Sequence, residues 1–330
     1  MSLGFLKGSS ILITGGTGSF GKQCIKALLQ KTEARRIIIF SRDEYKQVKM
    51  AAEFPDTEGR LRFFIGDVRD KERLERAFND VDYVIHAAAL KHVPILEYNP
   101  FEAIKTNILG SKNVIDAAID CRVKKVILVS TDKAANPANL YGATKLCAER
   151  LMISSNVYGA EKTKFSVARY GNVFGSRGSL VELIKKQMSK GEVALTHEDM
   201  TRFWITLDQG VNLVLSVLEK MQGGEIFVPK IPSMKIKDLI QILAPGCKLK
   251  IIGIRPGEKL HEVLITQEEA RHTKDADDYY VILPEIKGWS INSSYAENKN
   301  FSDLYFSSDK NHFWLDQEAI IKLLSTISNE

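Results

Sequence analysis

The sequence predicts an α/β protein, a doubly wound parallel sheet carrying a smaller C-terminal lobe. Three observations lead there. Short apolar runs alternate with helical patterns through the first half, a glycine cluster separates the first run from the first helix, and the alternation breaks down from about residue 176. Strands apolar on both faces belong to parallel sheets covered by helices. Strict β-α alternation with short connections winds such a sheet in both directions.

The elements follow in order. "SSILIT" (9–14) reads as the first strand and "FGKQCIKALLQ" (20–30) as its helix. "RRIIIF" (35–40), "RDEYKQVKMAAEF" (42–54), "LRFFIGD" (61–67) and "DKERLERAF" (70–78) repeat the unit twice. "VDYVIHAAA" (81–89) precedes a long helix across 100–120, "KKVILVST" (124–131) precedes a helix across 140–157, and "TKFSVARYGNVFG" (163–175) continues the sheet. Helices at 179–190 and 207–221, a strand-like piece near 193–197 and "LKIIGIRPGEKLHEVL" (249–264) make up the smaller lobe. The tail from about 285, rich in Ser, Asn and aromatics, reads as wrapping the surface. The division expected is 1–175 for the first domain and 176–330 mainly for the second, the two interleaved.

A chain of 330 residues has room for two domains or one large α/β unit with an added lobe. Its 46 basic and 41 acidic residues are spread without blocks, which gives no footprint for nucleic acid. No apolar run approaches a membrane span, and the first ten residues lack the core of a signal peptide. Cys24, Cys121, Cys147 and Cys247 are far apart. Free thiols in a reduced, cytoplasmic protein follow.

"TGGTGSFG" (14–21) lies between strand and helix, the context in which such glycines cradle a pyrophosphate. Gly15, Gly18 and Gly21 supply the tight turn, the close approach and the close packing, with Thr17, Ser19 and Phe20 between them. This makes the sheet a Rossmann-type, dinucleotide-binding one. At the end of the second strand, where an NAD site places a carboxylate, stands small Ser41, followed by Arg42 and, nearby, Lys46. Arg suits a 2′-phosphate, so NADP is favoured. Asp43 is the residue that argues for NAD.

Tyr141 and Lys145 are four apart at a helix start and share one face. A free tyrosine is a poor base at neutral pH, and nearby positive charge favours its phenolate. Just upstream, the strand at 124–131 ends in Thr131, and Asp132 and Lys133 follow it. His86, His92 and His197 have no metal spacing, and no metal is expected.

TGxxGxxG, "HAAA" (86–89), a strand ending in Ser or Thr, and YxxxK together resemble the extended short-chain dehydrogenase/reductase superfamily. "TRFWIT" (201–206) and "RPGEKLHE" (255–262) resemble the segments with which its nucleotide-sugar members hold a nucleoside diphosphate. "HAAALKHVPILEYNP" (86–100) and "STDKAANPANLYGATK" (130–145) are strongly similar to the PseB group, the inverting UDP-N-acetylglucosamine 4,6-dehydratases of pseudaminic acid synthesis. The resemblance implies C4 oxidation by a tightly held NADP, elimination of water across C5–C6, and hydride return to C6.

In those roles Tyr141 is the base at the C4 hydroxyl, with Thr131 hydrogen-bonded to the C4 oxygen. Asp132 is the acid at C6, and Lys133 the base at C5 where ordinary 4,6-dehydratases carry glutamate. Positive charge from Lys145 and the oxidised cofactor lowers the Lys133 pKa while Asp132 raises it, and the sequence leaves that balance open. The resemblance further places Asp67 and Val68 at the adenine, Ala87, Ala88 and Ala89 at ribose and phosphates, and Lys91 between cofactor and substrate. Asn172 and Val173 lie beside the diphosphate and cofactor, and Thr196, Arg202, Arg255 and Glu258 hold the uridine diphosphate. A homo-oligomer built on the helices at 100–120 and 140–157 is implied.

The alternatives are a UDP-sugar C4 epimerase, a retaining 4,6-dehydratase, and a non-catalytic NADP sensor. An epimerase has no need of an acid-base pair at C5 and C6. A sensor typically lacks the Tyr or the Lys of the pair, and both are present here.

Overall fold

The computed structural model describes residues 3–54, 56, 58–159, 162–176, 179–286 and 294–327. Its first half runs β1 (Ser10–Thr14), α1 (Ser19–Lys31), β2 (Arg36–Ser41), α2 (Glu44–Glu53), β3 (Leu61–Ile65), α3 (Lys71–Phe78) and β4 (Tyr83–His86). After α4 (Val93–Tyr98), α5 (Pro100–Ala103) and α6 (Gly110–Asp120) come β5 (Lys125–Thr131), α7 (Leu140–Ser154) and β6 (Lys164–Tyr170). Asp43 and Asp70 cap α2 and α3 by accepting from backbone N–H groups three residues on.

Short strands β7 (Asn172–Val173), β8 (Glu192–Leu195) and β9 (Thr201–Ile205) follow, with α8 (Leu180–Met188) before β8 and α9 (Leu207–Lys220) after β9. β10 (Ile226–Pro229), β11 (Ser233–Lys235), α10 (Ile236–Leu243), β12 (Lys248–Ile251), β13 (Val263–Ile265) and α11 (Gln267–Ala270) come next. β14 (Thr273–Ala276), β15 (Tyr279–Ile282), β16 (Phe306–Ser307) and α12 (Gln317–Ile327) complete the order.

The main sheet has nine strands in the order β14-β15-β10-β6-β5-β4-β1-β2-β3. From β3 to β10 every pairing is parallel, and β15 and β14 are added antiparallel. The order reverses between β1 and β4, so a crevice opens at their carboxyl ends, the usual ligand site of such a sheet. Strands as apolar as β1, buried at every residue, require helices on both faces.

Three smaller sheets (β11-β9-β7, β12-β8 and β13-β16) build the second lobe. A separate cluster of Phe174, Ile184, Trp204, Leu239 and Ile320 forms its core. Chain from beyond residue 176 also supplies the last three strands of the main sheet.

Three readings of the sequence differ from the structure in detail. The run 163–175 breaks at Gly171, where a Cβ would meet Phe203 at 2.5 Å, and Asn172–Val173 leaves to pair with β9. The helix across 100–120 contains a π-helical segment, Ile104–Leu109, between α5 and α6. The tail does more than wrap the surface, since β16 pairs with β13 and Ile320 of α12 is buried in the second core. Residues 287–293 and 328–330 of that tail lie outside the described residues.

Candidate active site

At the carboxyl ends of β1, β4 and β5 lies one cavity of about 820 Å³, continuous from Arg42 to Arg255. Every residue expected at a site lines it except Asp132, which is fully buried behind its wall.

The cofactor end is built by the turn after β1. Gly15 has φ +69, and a Cβ there would sit 2.9 Å from the Ala88 backbone. Only glycine lets the turn approach Ala87–Ala89 so closely. At Gly21 a Cβ would fall 2.3 Å from the Gly16 carbonyl oxygen, so α1 packs directly on the turn. Gly18 stands at the N-cap of α1 with no side-chain cap, which leaves the helix start facing the cavity with its N–H groups. The cradle fits a dinucleotide pyrophosphate.

Beyond β2, the Asp43 carboxylate accepts from the Lys46 backbone N–H at 3.0 Å and pairs with the Lys46 ammonium at 2.7 Å. Gln47 donates to the Ser41 hydroxyl at 3.0 Å. Arg42 reaches Asp67 at only 3.7 Å and remains half exposed at the cavity edge. The acid that argued for NAD is thus already occupied by the helix cap and by Lys46.

Asn139 caps α7 through the Gly142 N–H and donates to the Gly257 carbonyl at 2.8 Å. This fixes the start of the Tyr141 helix against the "RPGEK" loop. Lys145 donates to the Val129 carbonyl at 2.8 Å. Burial pushes its ammonium down to about 8, against Glu149, which works in the opposite direction. Tyr141 is pushed up to about 12 by burial and Asp132, against Lys133 and the Thr131 hydrogen bond. The protein's own groups therefore do not supply the expected lowering of Tyr141.

Within the protein itself, the surroundings of Lys133 favour its charged form. Its Nζ lies 2.9 Å from Asp132 Oδ1, 3.3 Å from Glu262 Oε1 and 3.3 Å from Asn172 Oδ1. Burial disfavours its charge and Arg202 adds to that, but Asp132 and Glu262 outweigh them and hold the ammonium above its ordinary value. Asp132 is raised by burial and by Glu262, against Lys133. Its Oδ1 also accepts from the Thr131 hydroxyl at 2.9 Å, so the buried acid is linked to the cavity through Thr131 and Lys133.

At the far end Thr196, Arg255 and Glu258 line the cavity. Arg202 does too, but its guanidinium donates to the carbonyls of Thr201, Leu260 and Lys259 and faces Glu262. Lys91 is lowered by burial and by Lys133, against Glu182. His86 bridges Thr14 Oγ1 (2.7 Å) and Ser111 Oγ (3.0 Å), and burial and Lys145 push it down to about 3, so it is a neutral network residue.

Two residues escaped the sequence reading. Glu262, in the quoted "RPGEKLHE", is nearly buried and meets Lys133, Lys259 and Arg202. Trp204, in "TRFWIT", lines the cavity with a buried indole N–H that has no hydrogen-bond partner among the described residues. The signal lay in motifs already singled out, but neither residue stands next in sequence to what it touches.

A family model described as polysaccharide biosynthesis protein matches residues 11–284. The chain is 53% identical to the inverting UDP-N-acetylglucosamine 4,6-dehydratase of Campylobacter jejuni subsp. jejuni serotype O:2, over 96% of this chain and 97% of that one. It is 39% identical to a UDP-glucose 4-epimerase of Rickettsia canadensis, over 97% and 96%. The solved structure of Pen from Bacillus thuringiensis superimposes with a TM-score of 0.90 at 37% identity, covering 98% of this chain and 99% of that chain.

Proposed function

The chain belongs to the family of polysaccharide biosynthesis proteins, of the short-chain dehydrogenase/reductase fold, and from that premise we propose that it is an inverting UDP-N-acetylglucosamine 4,6-dehydratase. Its product is the 4-keto-6-deoxy sugar nucleotide of L-arabino configuration, used for pseudaminic acid and the glycosylation of flagellin or surface structures. One observation carries the reading: Lys133, the residue that departs from ordinary dehydratases, faces the same cavity as Thr131, Tyr141 and Lys145 and is linked to Asp132. The likeness to the Campylobacter enzyme supports it.

The glycine cradle fits a nicotinamide dinucleotide. Arg42, open at the cavity edge beside an occupied Asp43, favours NADP. Held by the Gly15–Gly21 turn and Ala87–Ala89, a nicotinamide dinucleotide would supply hydride exchange with C4 and C6 and, when oxidised, positive charge beside Tyr141. Tyr141 receives the C4 hydroxyl proton while Thr131 holds the C4 oxygen. Lys133 removes the C5 proton, acidified by the ketone, and Asp132 supplies the proton with which the C6 hydroxyl leaves as water. Reprotonation of C5 from the other face gives inversion.

Residues 1–175 serve the dinucleotide and the chemistry, and 176–330 mainly the nucleotide sugar. Arg255, Thr196 and Glu258 take the uridine diphosphate end. Arg202 serves it through Glu262 and the loop carbonyls it holds. No helix among the described residues is long and apolar enough to cross a membrane. We assign the enzyme to the cytoplasm, as a homo-oligomer.

The epimerase reading has a relative in its favour, but leaves Asp132 and Lys133 without work. Proton NMR with UDP-N-acetylglucosamine in deuterated water, without added cofactor, separates the cases. A new C6 methyl signal, deuterium at C5 and L-arabino couplings are expected. A methyl signal with unchanged C5 configuration makes the enzyme retaining, and the C4 epimer without a methyl signal makes it an epimerase.

A further inference from the structure

Lys133 can accept the C5 proton only as a neutral amine, yet it rests among oxygens that favour the ammonium. The titratable groups that face it come from five places. Asp132 precedes it, Tyr141 comes from α7, Lys91 from the loop after β4, Arg202 from β9, and Glu262 from the segment before β13. Asn172 of β7 completes the oxygen cage at 3.3 Å. Asp132 is the nearer carboxylate, at 2.9 Å, and burial together with Glu262 raises its pKa against Lys133. Glu262 is the second carboxylate at Lys133, 3.3 Å away, and it is itself built in. Its backbone N–H donates to Ser308 Oγ at 2.9 Å, its carbonyl accepts from the Ser308 N–H at 2.8 Å, and its carboxylate lies 3.4 Å from Lys259 and 3.8 Å from Arg202. Lys259 in turn donates to the Ala135 carbonyl, two residues past Lys133.

We propose that Glu262 is a positioning residue for the C5 base: anchored in the second lobe, its carboxylate holds Lys133 in place and sets the pH above which Lys133 works. This rests on the dehydratase reading above. The physical reason is that a buried carboxylate 3.3 Å from an ammonium favours the charged form, which a base must give up. Arg202 and Lys259 keep Glu262 ionised, because together with Lys133 they oppose the cost of burying it. Neutralising Glu262 removes one of the two carboxylates at Lys133 and leaves Arg202 and Lys259 nearby, both of which ease loss of its proton.

The test is the single-turnover rate of deuterium loss from C5-deuterated UDP-N-acetylglucosamine, followed across pH in the intact protein. In E262Q the rising limb is expected to move to lower pH by about one to three units, while the plateau falls as Lys133 loses its anchor. E262D keeps the charge at a longer reach, and its limb is expected between the two. That variant decides the matter if E262Q does not fold. A limb at the wild-type pH in E262Q, or in E262D should only that variant fold, with the plateau merely lowered, would make Glu262 structural and overturn the proposal. If the wild-type protein forms product but never exchanges C5, the dehydratase reading itself falls, and this proposal with it.

Discussion

Tyr141 and Lys133 sit within one cluster but make separable demands. With Tyr141 as the proposed acceptor of the C4 proton, its replacement by Phe is expected to lower turnover by about 10²–10⁴-fold and to suppress formation of reduced nicotinamide. Replacing Lys133 by Met is expected to spare the proposed C4 oxidation more than the C5 step. Reduced nicotinamide should then build up on the protein, visible by its near-ultraviolet absorbance, while product is lost to a similar degree. His86 gives a pH prediction of a different kind. Its folded pKa, about 3, lies below the ordinary value of 6.5, so the unfolded chain binds the extra proton between them. That contribution to stability is complete above pH 6.5 and is lost as pH falls towards about 3. A His86→Gln variant should show a flatter acid-unfolding curve in that window. At this scale the sequence is most legible where chemistry is local. Tyr141 and Lys145 declare themselves by a helical spacing and Thr131–Lys133 by adjacency. Glu262 reaches Lys133 only because the chain returns from the second lobe, and no spacing encodes that return.

Elements were legible where periodicity is regular and obscure where one residue shifts it. The β-α alternation up to β6 follows from apolar runs and glycine breaks that a reader can mark. The π segment Ile104–Leu109 leaves the run of helical residues unbroken, yet it lets Asn107 bond both the N–H and the carbonyl of Leu90 and the Thr144 hydroxyl. Such insertions favour functional positions, and here one steadies the loop that carries Lys91. The turn after β1 is the most exacting element. Gly15→Ala puts a side chain at φ +69 and against Ala88. The backbone conformation alone is expected to cost about 1–3 kcal/mol, read as a fall in melting temperature with loss of bound cofactor. On the neighbouring helices Tyr98 is 89% exposed and Phe101 74%. Apolar surface of that kind suits an interface between subunits. Phe101→Asp is expected to shift the proposed homo-oligomer to smaller species in light scattering.

Across the whole molecule one buried network ties distant segments together. Arg169 of β6 donates to both oxygens of Glu149 on α7, at 3.0 and 2.6 Å, and to both of Glu269 on α11, at 2.8 and 2.9 Å. Glu149 also accepts from Ser130 at 2.6 Å. Arg169→Met strands two carboxylates in the interior and is expected to cost about 3–5 kcal/mol, measured by denaturant unfolding. The overall class of fold could be read from the sequence. The far side of the main sheet could not, because β10, β14 and β15 come from chain that reads as part of the smaller lobe.

That late completion of the sheet has a consequence for how the protein is made. The ribosome releases β6 long before β10, the strand that lies against it. At about 5–20 residues per second, the stretch from Tyr170 to Pro229, the end of β10, takes about 3–12 seconds to appear. For that interval a young chain presents the apolar edge of β6, with Phe165 and Val167, to its surroundings. Open edges of this kind recruit other chains. A gene cut after codon 175 would fix the nascent molecule in that state, and its product should collect in the insoluble fraction of the cell.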